Sequence, residues 1–315
     1  MDKIKTIFVG TPEFSTHYLN AIINDGRFDV VAVITQSDKP SGRKHEIIQS
    51  PVKKIALEKD FKIFQPERLK ADINIASELK TLKADLMIVV AYGQIIPKEI
   101  LEVARYGAIN VHPSLLPKYR GASPVQSAIL NGEEKTGVTI MLMDEKMDHG
   151  PILSQVERKL SEEETNDILH EKLADLSTDL LISSAIKFIN GEIKPIEQDH
   201  DQATFCRIIN KEDAKVDWNK SAQEIKRKIY AFHPWPGTWT MLDGKRIKIF
   251  PPTKILKQKN IKKSPGQIII NNNELIVACG EDFLKLDRLQ LEGKKEMNAD
   301  DFLRGYEDLN GKILA

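Results

Sequence analysis

The sequence predicts an α/β fold, a mostly parallel sheet domain followed by a small β-barrel domain. Over roughly the first 190 residues, short apolar runs alternate with longer amphipathic ones, the pattern of a parallel sheet with crossover helices. Beyond a polar stretch, short strands punctuated by turns take over. A chain of 315 residues also exceeds the size at which one core usually stops growing, so two domains are expected.

In the first domain, strands are expected over 4–9, 30–35, 86–90, 108–111 and 138–143. Several are rich in Val and Ile on both parities, as suits a sheet covered on both faces. Helices are expected over 16–24, 51–59, 73–82, 124–130 and 165–189. Ligands of such sheets gather beyond the carboxyl ends of the strands. The stretch opening with Asn190-Gly191 is polar, contains proline and lacks periodicity. The expected organisation is therefore a first domain over 1–190, a linker over 191–206 and a second domain over 207–315. In the second domain a helix over 221–232 precedes strands over 238–242, 245–250, 267–270, 274–279 and 283–289. Asp243-Gly244 and the three asparagines at 271–273 mark turns between them.

Apolar residues make up 41% and charged residues 29%, the balance of a soluble globular protein, and no apolar run approaches the ~20 residues of a membrane span. The opening residues read as a strand and not as a secretory signal. Cys206 and Cys279 are the only cysteines and form no metal-ligand pattern, so a reducing cytoplasm is expected, with neither disulfide nor metal. The formal charge of zero hides an asymmetry. Residues 1–206 hold 25 basic against 31 acidic side chains, and residues 207–315 hold 21 against 15. Within 207–263 the count is 15 against 5, which points to a polyanionic partner or to a solvated face.

The run GAINVHPSLLPKYRG at 107–121 is the most informative segment. Residues two apart on a strand face the same way, so Asn110 and His112 project together from one carboxyl end. Pro113 disfavours helix at His112, and Ser-Leu-Leu-Pro supplies a loop beside the pair. Some residues later, Met143-Asp144-Glu145-Lys146-Met147-Asp148-His149-Gly150 follows another apolar strand, and its carboxylates are expected in a loop at the same sheet edge. An aspartate there would favour protonated His112 and fix its orientation. Asn and protonated His can donate to an oxyanion, and Asp can receive an amine proton, so the set suits acyl transfer to an amine. Taken singly, each residue has a plainer reading as a turn residue, a satisfied buried histidine or a loop cap.

The runs NVHPSLLPKYRG and GVTIMLMDEKMDHGPIL closely resemble the 10-formyltetrahydrofolate-dependent formyltransferases. The resemblance implies that Asn110, His112 and Asp148 are catalytic and that the folate lies against Ser114, Leu115, Leu116 and Pro117. It also implies a Rossmann-like domain joined to an OB-like barrel. Family members formylate glycinamide ribonucleotide, amino sugars or methionyl-tRNA. IFVGTPEFS, TQSDKPSGR, ADLMIVVAYGQIIPKEIL and the C-terminal run INKEDAKVDWNKSAQEIKRKIYAFHPWPGTW are similar to the members acting on initiator methionyl-tRNA. That reading expects 10-formyltetrahydrofolate as donor, tetrahydrofolate as product, initiator tRNA as partner and a monomer, with sugar-nucleotide amine formyltransferases and a silent RNA-binding scaffold as rivals.

Arg43, in SGR, matches a family arginine important for initiator recognition, within a loop over 37–50 that departs from the commoner pattern at Lys44-His45-Glu46. By charge alone, Lys226, Arg227, Lys228, Lys245, Arg246 and Lys248 are candidates to face phosphate. Gly10-Thr11-Pro12-Glu13 lacks the dinucleotide fingerprint, and Pro12 removes a backbone donor, so NAD binding is rejected. Trp235 and Trp239 could stack on bases but are read as barrel core, and His149 as incidental.

Overall fold

The computed structural model describes residues 2–41, 46–71, 74–257, 263–306 and 308–315. It resolves into two compact units. The first comprises Met1–Pro124, Thr136–Arg158 and His170–Cys206; the second comprises Val125–Lys135, Lys159–Leu169 and Arg207–Ala315. Among the described residues, no helix is long and apolar enough to cross a membrane.

The first unit is Rossmann-like. Strands β1 (Ile4–Gly10), β2 (Phe28–Ile34), β3 (Ile63–Phe64), β4 (Leu86–Val90), β5 (Ala108–His112), β7 (Lys135–Leu142) and β8 (Ile152–Lys159) form one sheet in the order β8-β7-β5-β4-β1-β2-β3. A short strand β6 (Arg120–Gly121) pairs outside it with β9 (Phe205–Cys206). Strands β1 to β5 pair in parallel wherever they meet. Their Val and Ile runs are buried on both faces, Leu86–Val90 along its whole length. Gly10 lets the first helix, Glu13–Asn24, start close to the sheet: a Cβ there would stand 2.8 Å from the Val90 carbonyl oxygen. The next helix, Pro51–Glu58, begins where sequence chemistry places it, with Pro51 in its first turn and the Ser50 hydroxyl accepting from Lys53 N–H.

Two expectations change here. Strand β7 runs antiparallel to β5, with Ile109 opposite Leu142 and His112 opposite Thr139. Its carboxyl end therefore lies beside the start of β5, and the loop over 143–150 reaches His112 only by turning back along the sheet. Residues 191–206, expected as a linker, are bonded into the first unit. Ile196 exchanges backbone hydrogen bonds with Ile152, and Thr204 N–H donates to the Pro117 carbonyl while its own carbonyl accepts from Arg120 N–H.

The second unit carries an antiparallel six-stranded sheet. Strands β10 (Trp239–Leu242), β11 (Lys245–Leu256), β12 (Ile268–Asn271), β13 (Glu274–Ala278) and β14 (Phe283–Leu291) lie in the order β10-β11-β14-β13-β12, and β15 (Met297–Asn298) pairs with β14. A register shift between Phe250 and Thr253 bends β11, so the sheet curls into a half-barrel. Helix Ala222–Ala231 starts with a capping box in which Ser221 and Glu224 satisfy each other's backbone N–H groups. This unit also takes in 125–135 and 159–169, which the sequence assigns to the first domain.

Candidate active site

Asn110 and His112 are alternate residues of β5, a strand flanked on both sides, and they share one of its faces. Asn110 retains 9% of its surface and His112 3%. Among the described residues, the Asn110 side-chain amide has no hydrogen-bond partner. His112 Nε2 lies 2.9 Å from the Tyr119 carbonyl oxygen, an atom that can only accept, so this nitrogen carries a proton. Nδ1 faces Asp148 Oδ1 at 3.6 Å, an ion-pair separation too long for a hydrogen bond. With Nε2 committed, Nδ1 is the ring nitrogen left to face Asp148.

Asp148 is held from two sides. Its Oδ2 accepts from Gly121 N–H at 2.8 Å, and its backbone carbonyl accepts from Gln198 Nε2 at 3.0 Å. The residue adopts φ +48°, in the left-handed region that few side chains occupy. Tyr119, whose carbonyl receives His112, is also left-handed at φ +61°. Gly121 sits at φ +119°, and a Cβ there would lie 2.2 Å from the Cys206 carbonyl oxygen. Only glycine fits, because β9 presses its backbone against the residue that anchors Asp148.

The loop after His112 is fastened internally. Ser114 is buried and its hydroxyl donates to the Lys118 carbonyl at 2.6 Å. The Thr139 hydroxyl donates to the Ser114 carbonyl and accepts from Leu116 N–H, and Gln155 Nε2 donates to the Leu116 carbonyl. Leu116 is buried, whereas Leu115 and Pro117 keep partly open surfaces. Of the four residues expected against a folate, two therefore shape the loop and two offer apolar surface.

Residues that sequence reasoning missed surround Asp148. Arg120 is 4% exposed, and its guanidinium donates to Gln198 Oε1 and to His200 Nδ1. His149, read as incidental, lies 2.6 Å from Asp144 through Nδ1 and stacks on His200 with ring centroids 4.1 Å apart. The signal for Gln198 and His200 was hidden in a segment whose polarity reads as a linker.

Arg43 lies outside the described residues. The six charge-selected cations of the second unit divide into two groups. Lys226 is buried and pairs with Glu163 at 2.5 Å, where burial works against the Glu163 carboxylate but Lys226 and Tyr230 hold it below its ordinary range. The Arg227 guanidinium lies against Gly132, where a Cβ would stand 2.0 Å from Cζ. Lys228 donates to the Lys215 carbonyl, and burial pushes its ammonium below the usual lysine value against the pull of Asp213 and Asp217. Lys245, Arg246 and Lys248 are exposed on β11, and Arg246 covers the Trp239 ring at 4.1 Å. Trp239 is buried as expected, but Trp235 is 51% exposed because its loop turns it outward.

A buried imidazole facing a partly buried carboxylate beside an amide, at the end of a strand in a Rossmann-like sheet, is an arrangement that can serve acyl transfer without a covalent nucleophile. Residues 2–185 match the formyl transferase family and residues 208–307 its C-terminal domain; the chain belongs to this family and is a formyltransferase. It is 42% identical to the methionyl-tRNA formyltransferase of Lachnospira eligens over 99% of both chains. It is 41% identical to the methionyl-tRNA formyltransferase of Caldanaerobacter subterraneus subsp. tengcongensis, over 99% of this chain and 100% of that one. Among solved structures, the N-formyltransferase from Helicobacter canadensis in complex with folinic acid and dTDP-3-aminofucose shares the fold. Its TM-score is 0.66 at 17% identity, over 90% of this chain and 98% of that one.

Proposed function

We propose that the protein moves a formyl group from 10-formyltetrahydrofolate to the amino group of methionine on initiator tRNA, with Asn110, His112 and Asp148 as its catalytic residues. One observation carries the residue assignment. Among the described residues, the Asn110 amide, His112 Nδ1 and Asp148 Oδ1 make no hydrogen bond, the last two facing each other 3.6 Å apart, so each has an atom to offer a ligand. The acceptor reading is supported by the full-length relatives that carry the methionyl-tRNA name.

The folate supplies the activated formyl group when bound. Leu115 and Pro117 offer apolar surface to its ring, while Ser114 and Leu116 hold the loop in shape. The methionyl amine forms the new C–N bond to the formyl carbon, and the bond to the folate nitrogen breaks. Negative charge develops on the formyl oxygen. The Asn110 amide and His112 Nδ1–H donate to it, because Nε2 is already committed to Tyr119. Asp148 Oδ1 sustains the imidazolium and receives the amine proton, directly or through one water, for delivery to the departing folate nitrogen.

The test is formyl transfer from 10-formyltetrahydrofolate to methionyl initiator tRNA, run beside methionyl elongator tRNA and an amino-sugar nucleotide. Preferential formylation of the initiator is expected. Activity confined to the sugar would overturn the acceptor and leave the catalytic assignment standing. Binding of tRNA with no tetrahydrofolate released would overturn both.

A further inference from the structure

We infer that Gln198 is a positioning residue, which holds the Asp148 carboxylate toward His112 by tying the turn around Asp148 to the buried Arg120 guanidinium. The inference rests on the assignment of Asp148 to the reaction. Gln198 is 5% exposed and uses its whole amide. Both Nε2 hydrogens are donated, to the Asp148 carbonyl at 3.0 Å and the Gly150 carbonyl at 2.7 Å. Oε1 accepts twice from Arg120, from Nε at 3.1 Å and Nη2 at 2.6 Å. The amide can sit only this way round, since the reverse would set its NH2 against the guanidinium.

These contacts close a ring. Gln198 grips the Asp148 backbone, Arg120 grips Gln198, and Gly121, the residue after Arg120, donates its N–H to the Asp148 carboxylate at 2.8 Å. The ring explains how Asp148 stays at φ +48°. Aspartate enters that region more readily than most side chains, and the ring selects it here over the ordinary one. Without the Gln198 donors, the backbone carbonyls at 148 and 150 lose their shared partner. The turn can then relax, and the carboxylate swings off His112. Arg120 meets no carboxylate within ion-pair distance among the described residues, so its interactions are directed at this amide, at His200 and at the neighbouring backbone.

Gln198→Glu separates the two halves of the amide. It keeps an acceptor for Arg120 and replaces the two donors with an oxygen that repels both carbonyls. The expected result is a kcat about 30- to 100-fold lower, since a displacement of about 1 Å costs about that much. KM for methionyl-tRNA and for the formyl donor should stay within about twofold. The imidazole 15N signals of His112 should shift toward those of Asp148→Asn, a change that loss of packing alone does not produce. Should Gln198→Glu fail to fold, Gln198→Met fills the same volume without either donor and should show the same loss of kcat. Loss of turnover in Asp148→Asn with full kcat in the folded Gln198 variant overturns this inference alone. Full turnover in Asp148→Asn overturns the catalytic assignment and this inference with it. A rise in KM with kcat unchanged would make Gln198 a substrate-binding residue and also overturn the inference.

Discussion

The surroundings of His112 and the basic stretch of the second unit invite the same treatment, as clusters of charge that could act on a ligand, yet they differ in how they are held. Around His112, the two fixed side-chain atoms are held by backbone groups, His112 Nε2 by the Tyr119 carbonyl and Asp148 Oδ2 by Gly121 N–H, and the Gln198 amide holds the Asp148 carbonyl. What remains unbonded is a small set at one sheet edge. Of the six cations singled out by charge in the basic stretch, half are spent on the protein itself. Lys226, Arg227 and Lys228 are packed against Glu163, Gly132 and the Lys215 carbonyl, whereas Lys245, Arg246 and Lys248 face solvent. Reactive chemistry is thus marked by the bonds that its neighbours make, and polyanion binding by the bonds that cations leave unmade.

The comparison is broken most severely at Asp148. Asp148→Asn should lower kcat about a thousandfold while tRNA affinity measured by filter binding changes less than about twofold. Turnover within tenfold of the wild type would remove Asp148 from the proton path. Gly121→Ala comes next. Its Cβ would fall 2.2 Å from the Cys206 carbonyl oxygen at a φ that side chains avoid, so β6 and β9 must separate. About 2–4 kcal/mol of stability should be lost in denaturant titration, together with activity at temperatures where the variant remains folded.

The basic residues sharpen the other side. Replacing Lys245, Arg246 and Lys248 together with alanine should weaken tRNA binding about tenfold at low salt and flatten the salt dependence by about 2 to 3 in log–log slope. The same treatment of Lys226 alone should leave that slope unchanged and cost about 1–2 kcal/mol of stability, tempered because Glu163 is largely exposed. A flattened slope for Lys226→Ala would show that burial is a poor guide to which cations meet the tRNA.

Asp213 sets the smallest effect. The Arg207 hydrogen bond, followed by Asn210 N–H, holds its carboxyl down to about 2, from an ordinary 3.8. Its contribution is complete above the ordinary value and fades as pH falls through about 2. Solvent screening keeps it under about 1 kcal/mol. Thermal melts of Asp213→Asn should therefore lie slightly below the wild type at neutral pH and converge with it near pH 2.

Much of this could be read before the fold was seen. Asn110-Val111-His112-Pro113 announces a strand end with two polar side chains on one face, and β5 ends at His112. A helix is expected over 221–232, and one spans Ala222–Ala231. Leu86–Val90 is continuous apolar sequence and became a fully buried strand. The strand Ile152–Lys159 escaped notice because its alternating, half-exposed pattern carries little apolar weight. The direction of β7 was illegible because a crossover and a hairpin return leave similar apolar runs, and only register distinguishes them. Gln198 was illegible for a further reason: polarity says that a residue can make hydrogen bonds, but not that its partners are buried. Charge in the second unit suffered the same ambiguity, since a lysine count does not record which lysines have glutamates to meet.

The pairing of β6 with β9 has a consequence for how the enzyme comes into being. The chain leaves the ribosome amino end first. Tyr119, which receives His112, and Gly121, which anchors Asp148, are clamped by Thr204 and Cys206, the latter 87 residues after Tyr119. The sheet can therefore form and bury its core during synthesis while the reactive edge stays unfinished. A nascent chain that has grown past Asp148 but not past Cys206 already carries Asn110, His112 and Asp148 and still lacks the backbone of β9 that braces their neighbours. Completion of the edge waits on one short strand, β9, which emerges after every other part of it.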